Sequence, residues 1–196
     1  MGRPPKFSTA ELLDVAAELL VSGGPKALSA AAVARAAGAP SGSVYHRFES
    51  RDHLAASLWM RTVERFDDEV VAGMADPGDP VEIAVAVAIR AVEWSTENPL
   101  DAFILTMFRR TDLVGDNTAA DLSERSDELG ARQRAAIGEL ASRLGRPVDL
   151  VAFAVAGIPL AAIRGHVGSR SRVPEWVADA VGRASRAALS TEGATS

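Results

Sequence analysis

Between Ser29 and Arg47 the chain sets two helix-length segments on either side of a single glycine, "SAAAVARAAGAPSGSVYHR". Gly38 can take the left-handed conformation that ends a helix at no steric cost, and Pro40 suits the first turn of the next one. Val33 and Ala34 face inward on the first segment and Val44 on the second. The small Ala34 leaves room for two backbones to cross closely. Helices this short are not stable alone. They need a third, and the stripe Leu12, Leu13, Ala16, Leu19 and Leu20 supplies it. The chain is thereby committed to an all-α fold that opens with a three-helix unit.

The remaining punctuation agrees. Ser8-Thr9-Ala10-Glu11 is a capping box, with Phe7 and Leu12 at the staple positions, and Gly23-Gly24-Pro25 stops the first helix. Ser50 caps a longer helix carrying Leu54, Leu58, Val63, Phe66 and Val70, which Asp76-Pro77-Gly78 breaks. Asp79-Pro80-Val81-Glu82 starts a helix that is apolar on nearly every side to Trp94 and is therefore expected at the centre of a bundle. A short helix follows over 100–109, a polar loop over 111–117, and a long amphipathic helix over 118–144. Two final helices span 149–167 and 174–189, with Pro159 expected to kink the first of them. No strand pattern competes. The reading is about nine helices: a three-helix domain over residues 1–50, a connecting helix over about 50–74, and a helical bundle over 75–196.

Composition excludes several classes. The 196 residues contain no cysteine, which removes disulfides, thiolate metal sites and cysteine nucleophiles together and fits a cytoplasmic protein. Residues 1–6 lead into no apolar run, so no signal peptide is expected. The most apolar stretches, 81–92 and 150–163, fall short of the roughly 18 residues a membrane span needs, so no membrane partner is expected. His46 and His53, with Glu49 and Asp52 between them, lack a further ligand cluster, so neither metal nor cofactor is expected. There is no G-x-S-x-G and no phosphate-binding glycine loop, which leaves an enzyme reading without a nucleophile, base and orienter to name.

The second short helix turns a mixed face outward: Ser41, Gly42, Ser43, Tyr45, His46 and Arg47. Small hydroxyls and a glycine let a partner's backbone come close. The rings and the guanidinium add donors at reach, a mixture suited to contacting phosphates and base edges. Net charge is −5, yet residues 1–60 hold six Lys/Arg against five acids, so the deficit lies in the rest of the chain. Arg3 and Lys6 form a basic arm ahead of the first helix.

The stretch "LSAAAVARAAGAPSGSVYHRFESRDHL" over 28–54 resembles the DNA-binding domain of the TetR family of one-component transcriptional repressors. The residues that carry the likeness are the Ala37-Gly38 turn, Gly42-Ser43-Val44-Tyr45, Phe48 two places past His46, and Ser50-Arg51 opening the next helix. The likeness covers about the first quarter of the chain, and beyond it only the nine-helix layout agrees. It implies that Ser41, Ser43, Tyr45 and His46 face DNA, with Tyr45 and His46 on phosphates and Arg51 near the backbone where the family more often carries lysine. Pro40 stands where a capping serine is frequent, which shifts part of that role to Ser41. With Arg3, Lys6, Ser29, Gly42 and Arg47 these make up the expected DNA-facing set.

The resemblance also implies an effector pocket within the bundle and a homodimer face on its last two helices. The pocket candidates are Trp59, Val63, Phe66, Trp94, Phe103, Met107, Phe108 and Ile137, residues for most of which core packing is the ordinary role. They suit a small apolar or aromatic effector. Few charges fall on inward faces, so a highly charged ligand is not expected. Residues 150–163 are too apolar for a surface helix, and their small residues permit close contact. Phe153, Gly157, Leu160, Ala161, Arg164, Val177, Val181 and Ala184 are the expected dimer face; an intramolecular core is the rival. The expected function is a dimeric, ligand-responsive repressor on near-palindromic double-stranded operator DNA. The alternative is a helical ligand-binding or scaffold protein whose N-terminal helices pack against protein.

Overall fold

The computed structural model describes residues 7–114 and 120–190. Arg3 and Lys6 lie outside the described residues, which are helical and carry no strand. The chain divides into two compact units. One gathers everything up to Val63 together with Phe103–Asp127; the other holds Glu64–Ala102 and everything from Glu128 on.

In the first unit, α1 spans Thr9–Gly23, α2 Ala30–Ala37 and α3 Ser41–Tyr45; α4 starts at Arg51 and runs on to Glu69. Each start has a local cause. The Ser8 hydroxyl accepts from the Glu11 N–H at 3.1 Å while Glu11 accepts from the Ser8 N–H at 2.6 Å. Ser29 caps α2 through the Ala32 N–H at 3.1 Å, and Ser50 receives the His53 N–H at 3.0 Å. Caps of this kind are worth roughly 0.5–2 kcal/mol each. Pro40 stands at the start of α3 with no side-chain cap. Leu12, Leu20, Leu28, Val33, Val44, Leu54 and Leu58 are wholly buried in one cluster, joined by Phe48, Ile104 and Leu113.

In the second unit, a 3-10 turn over Val71–Ala75 follows α4, and α5 spans Pro80–Glu97. Asp79 caps α5 by accepting from the Val81 and Glu82 N–H groups, with Pro80 in the first turn. Arg143 clamps the break between the two helices, donating to the Met74 carbonyl at 3.0 Å and the Asp76 carbonyl at 2.9 Å. Pro99–Met107 forms α6, which passes from this unit into the first at Phe103; Arg110–Leu113 forms α7 in the first unit; Ala120–Leu144 forms α8, which enters the second unit at Glu128; Val148–Gly168 forms α9 and Trp176–Ser190 α10. Along α5 lies α10, where a side chain at Gly182 would collide with Ile89. Two ion pairs tie elements distant in sequence: Arg186 reaches both Glu82 oxygens, and Arg65 donates to Asp101 and to Asn98 at 2.7 Å.

Two elements differ from the sequence reading. A short helix, α7, occupies part of the expected polar loop, because Asp112 accepts the Arg109 N–H at 2.7 Å and closes a turn there. In place of a simple kink at Pro159, α9 carries a π-turn over Phe153–Gly157. The Ile158 N–H bonds Phe153 O instead of Ala154 O, and the buried Ser185 hydroxyl donates to Ala154 O at 2.8 Å. Proline brings no N–H to the ladder at position 159, so the widened turn and the serine between them keep this stretch satisfied.

At 21 residues, α9 is longer than its most apolar stretch, and its mean hydropathy of 1.7 would pass for a membrane span by length and composition alone. Its residues divide by side, however. Val151, Ala154, Val155, Pro159, Ile163 and Val167 are buried within this subunit, while Phe153, Leu160, Ala161 and Arg164 are exposed.

Candidate functional site

The turn between α2 and α3 depends on one backbone conformation. Gly38 sits at φ 64°, ψ 24°, its N–H turned back to α2, and the Ala39 N–H closes the turn on Ala34 O at 2.9 Å. A Cβ at Gly38 would meet nothing within 4 Å, so conformation, not space, selects glycine there. The turn aims α3 so that Val44 and Phe48 enter the core while Ser41, Gly42, Tyr45 and His46 stay exposed. Tyr45 is 50% exposed, high for a large ring. Gly42 has helical geometry and open space around it, so nothing within the fold requires a glycine there.

Two arginines expected at this face are committed to the fold instead. Arg47 donates to the Ser43 hydroxyl at 2.7 Å, to Ser43 O at 3.0 Å and to Phe7 O at 2.9 Å, strapping α3 to the start of α1. The same contact occupies Ser43. Arg51 donates to Pro25 O at 2.8 Å and stands beside Asp52 at 3.4 Å, which holds the turn between α1 and α2. Ser29 is spent as the cap of α2. Among the described residues of the expected set, Ser41, Tyr45 and His46 keep exposed side chains, with Gly42 between them.

The pocket candidates separate. Trp59 and Phe108 pack against the core of the first unit, Phe103 stands edge-on to Phe108, and Met107 is exposed. Val63 also falls in that unit, where it is buried. Phe66 and Ile137 line a common cavity of the second unit, about 100 Å³, completed by Val70, Val71, Met74, Val87, Gln133, Val155 and Ala156. Trp94 is buried behind it, edge-on to Phe66 with ring centroids 5.1 Å apart. A larger groove of about 360 Å³ shares Val71 and Met74 and is edged by Asp67, Asp68, Arg132 and Glu139.

Sequence reasoning missed Asp67. It is only 4% exposed, and its Oδ1 accepts from the Gln133 amide at 2.6 Å. Burial pushes its carboxyl above the usual range, against the pull of Gln133 and Arg132. The signal was available: Val63, Asp67 and Val70 recur at helical spacing on the inward stripe. The acidic run "DDE" nonetheless reads as a solvated face.

The expected dimer face also divides. Val177 and Val181 are buried within this subunit, because α10 turns them inward. Phe153 (56% exposed), Leu160, Ala161 and Arg164 on α9 and Ala184 on α10 are open, Phe153 closing over the intermediate Gly157.

A three-helix unit with a glycine-made turn and an exposed hydroxyl-and-ring face is a helix-turn-helix arrangement. The family model for bacterial regulatory proteins, tetR family, matches residues 12–58. The HTH-type transcriptional regulator AcrR of Shigella flexneri is 25% identical over 117 residues, 59% of this chain and 54% of its own, so the match spans about half the length of that curated relative. Among solved structures, the fatty acid degradation regulator FadR from Bacillus halodurans superposes with TM-score 0.72 at 16% identity, covering 98% of this chain and 100% of its own. AibR, solved in complex with isovaleryl coenzyme A and operator DNA, gives TM-score 0.66 at 21% identity over 89% of this chain and 96% of its own. At these identities the structural likeness is one of fold. The likeness to the tetR family of bacterial regulatory proteins is therefore one of sequence over residues 12–58 and of fold elsewhere.

Proposed function

We propose that the protein is a homodimeric, ligand-responsive transcriptional repressor acting in the cytoplasm. The observation that carries this reading is the division of labour in α3: Val44 and Phe48 hold the fold, and Ser41, Gly42, Tyr45 and His46 have no part in it. A face free of structural duty, on the helix that the family uses for reading, belongs to an outside partner. Ser41, Tyr45 and His46 contact DNA directly, while Arg47, Arg51 and Ser29 position the helices that present them.

The exposed apolar ridge of α9, Phe153 with Leu160 and Ala161, is covered by a second copy, with Ala184 of α10 beside it. A dimer places two reading helices in successive major grooves about 34–36 Å apart, which calls for a near-palindromic operator. The effector is a small molecule held in the second unit near Phe66 and Ile137. Both units contribute to α4, the element through which an occupied pocket alters the reader. A coupling of about 1–3 kcal/mol would change operator affinity roughly 5–150-fold.

The test is a gel shift at low salt with genomic fragments that flank the protein's own gene. A retarded fragment whose binding weakens linearly in log salt supports the reading. Failure to retard any fragment contradicts it and returns the scaffold alternative.

A further inference from the structure

The cavity and the groove of the second unit adjoin but differ in chemistry. Val71 and Met74 are walls of both. Gln133 lines the inner cavity, Asp67 lines the outer groove, and the 2.6 Å bond between them marks the neck. Apart from the Gln133 amide, the inner cavity is lined by apolar side chains. Its volume of about 100 Å³ holds three or four methylene-sized groups at roughly 30 Å³ for each water-sized group. The outer groove carries three carboxyl groups, Asp67, Asp68 and Glu139, against one arginine, Arg132.

We propose that this site takes a small amphipathic monocation, an alkyl- or arylammonium, with its apolar end in the inner cavity and its charged head against Asp67. The proposal rests on the reading that the second unit holds the effector, and it names that effector's chemistry.

Asp67 is the residue that decides the class. A carboxylate this buried needs several partners to replace lost water, yet Gln133 is its one hydrogen-bond donor among the described residues. Its second oxygen is therefore available at the edge of the groove. The surroundings raise its carboxyl toward the neutral form, so the protein keeps an acid where a neutral side chain would be more stable. A bound ammonium supplies the missing partner and holds the carboxylate ionised. An anionic effector meets the reverse situation. A coenzyme A thioester of the kind bound by AibR would bring its phosphates toward three carboxyl groups with Arg132 alone to receive them.

The test uses three probes with one tail, n-butylammonium, n-butanol and butanoate, titrated calorimetrically into the full-length protein without DNA at pH 7. The ammonium is expected to bind at least tenfold more tightly than the alcohol, with butanoate weaker than either. Asp67→Asn should abolish the preference for ammonium over alcohol while leaving alcohol binding unchanged. Because Asn is expected to stabilise the fold, that loss cannot be assigned to unfolding. Asp68→Asn combined with Glu139→Gln, on the exposed rim, should weaken ammonium binding severalfold with an unchanged melting temperature. Butanoate binding as well as butylammonium, or an ammonium preference that survives Asp67→Asn, overturns the proposal. Repeating the gel shift with butylammonium separates the two readings. Ammonium selectivity with no change in DNA retention supports the site and contradicts ligand-responsive repression. A change in DNA retention without ammonium selectivity does the opposite.

Discussion

The reader unit and the bundle bury their apolar residues by the same means and leave opposite things uncovered. The reader leaves hydroxyls and polar rings, Ser41, Tyr45 and His46, beside a glycine that the fold does not require. The bundle leaves an apolar ridge at Phe153 and Leu160, and a groove in which carboxyl groups outnumber the arginine. A different partner is proposed for each remainder: a polyanion, a second copy and a small cation. Roles within a unit are separable to the same degree. In the reader, the residues that hold α3 in the core and those left exposed alternate along the helix. In the bundle, Phe66 and Asp67 are neighbours on α4 in different surroundings, one walling the inner cavity and one lining the outer groove.

The largest effect should come from the ridge. Leu160→Glu places a charge on each side of the proposed interface, where an unpaired buried charge costs several kcal/mol. Sedimentation should show a monomer with an intact helical spectrum, and full-operator affinity should drop by two orders of magnitude or more. A stable dimer in this variant would show that α9 faces elsewhere.

The two glycines sharpen the contrast within the reader. Gly38→Ala forces a side chain into the left-handed region and should cost about 1–2 kcal/mol of stability, read as a lower denaturation midpoint. Gly42→Ala adds a methyl group to open space on a helix, so stability should hold or rise by up to about 1 kcal/mol. DNA affinity should nevertheless fall, because that space is where the duplex approaches. If the two variants destabilise equally, the division of labour in α3 is wrong.

A smaller effect concerns pH. Burial raises the Asp67 carboxyl in the fold, with the charges of Asp68 and Glu64 adding to it and Gln133 and Arg132 opposing it. The folded state thus binds this proton more tightly than the unfolded chain. Its contribution is fully present below the unfolded value near 3.9 and is lost as pH rises through the raised folded value. Asp67→Asn should therefore melt higher than the wild type at pH 7, with the difference closing toward pH 4. A lower melting temperature at pH 7 would mean that the carboxylate is structural.

Much of the fold can be read from the chain because its determinants are local. Ser8 and Glu11, Ser29, Ser50 and Asp79 each cap a helix within three residues of themselves, and Gly38 ends α2 by its own backbone freedom. What escaped depends on residues far apart. Arg47 looks like a free cation until Phe7, forty positions away, supplies a carbonyl for it. The π-turn of α9 is completed by Ser185, 31 residues downstream. Aromatic residues at helical spacing do not declare which core they join, so Trp59 and Phe108 went to the reader while Phe66 and Trp94 stayed in the bundle. Asp67 was missed for the same reason, since the Gln133 amide that bonds it lies on α8, 66 residues away.

If the exposed face of α3 serves DNA and not the fold, Tyr45→Ala separates the two in one sample. Operator affinity by fluorescence anisotropy and thermal stability are measured on the same preparation. Loss of a phosphate-contacting ring should weaken binding about fivefold or more, a cost of about 1 kcal/mol, with the melting temperature unchanged. Wild-type affinity together with a lowered melting temperature would make Tyr45 part of the fold and contradict the account.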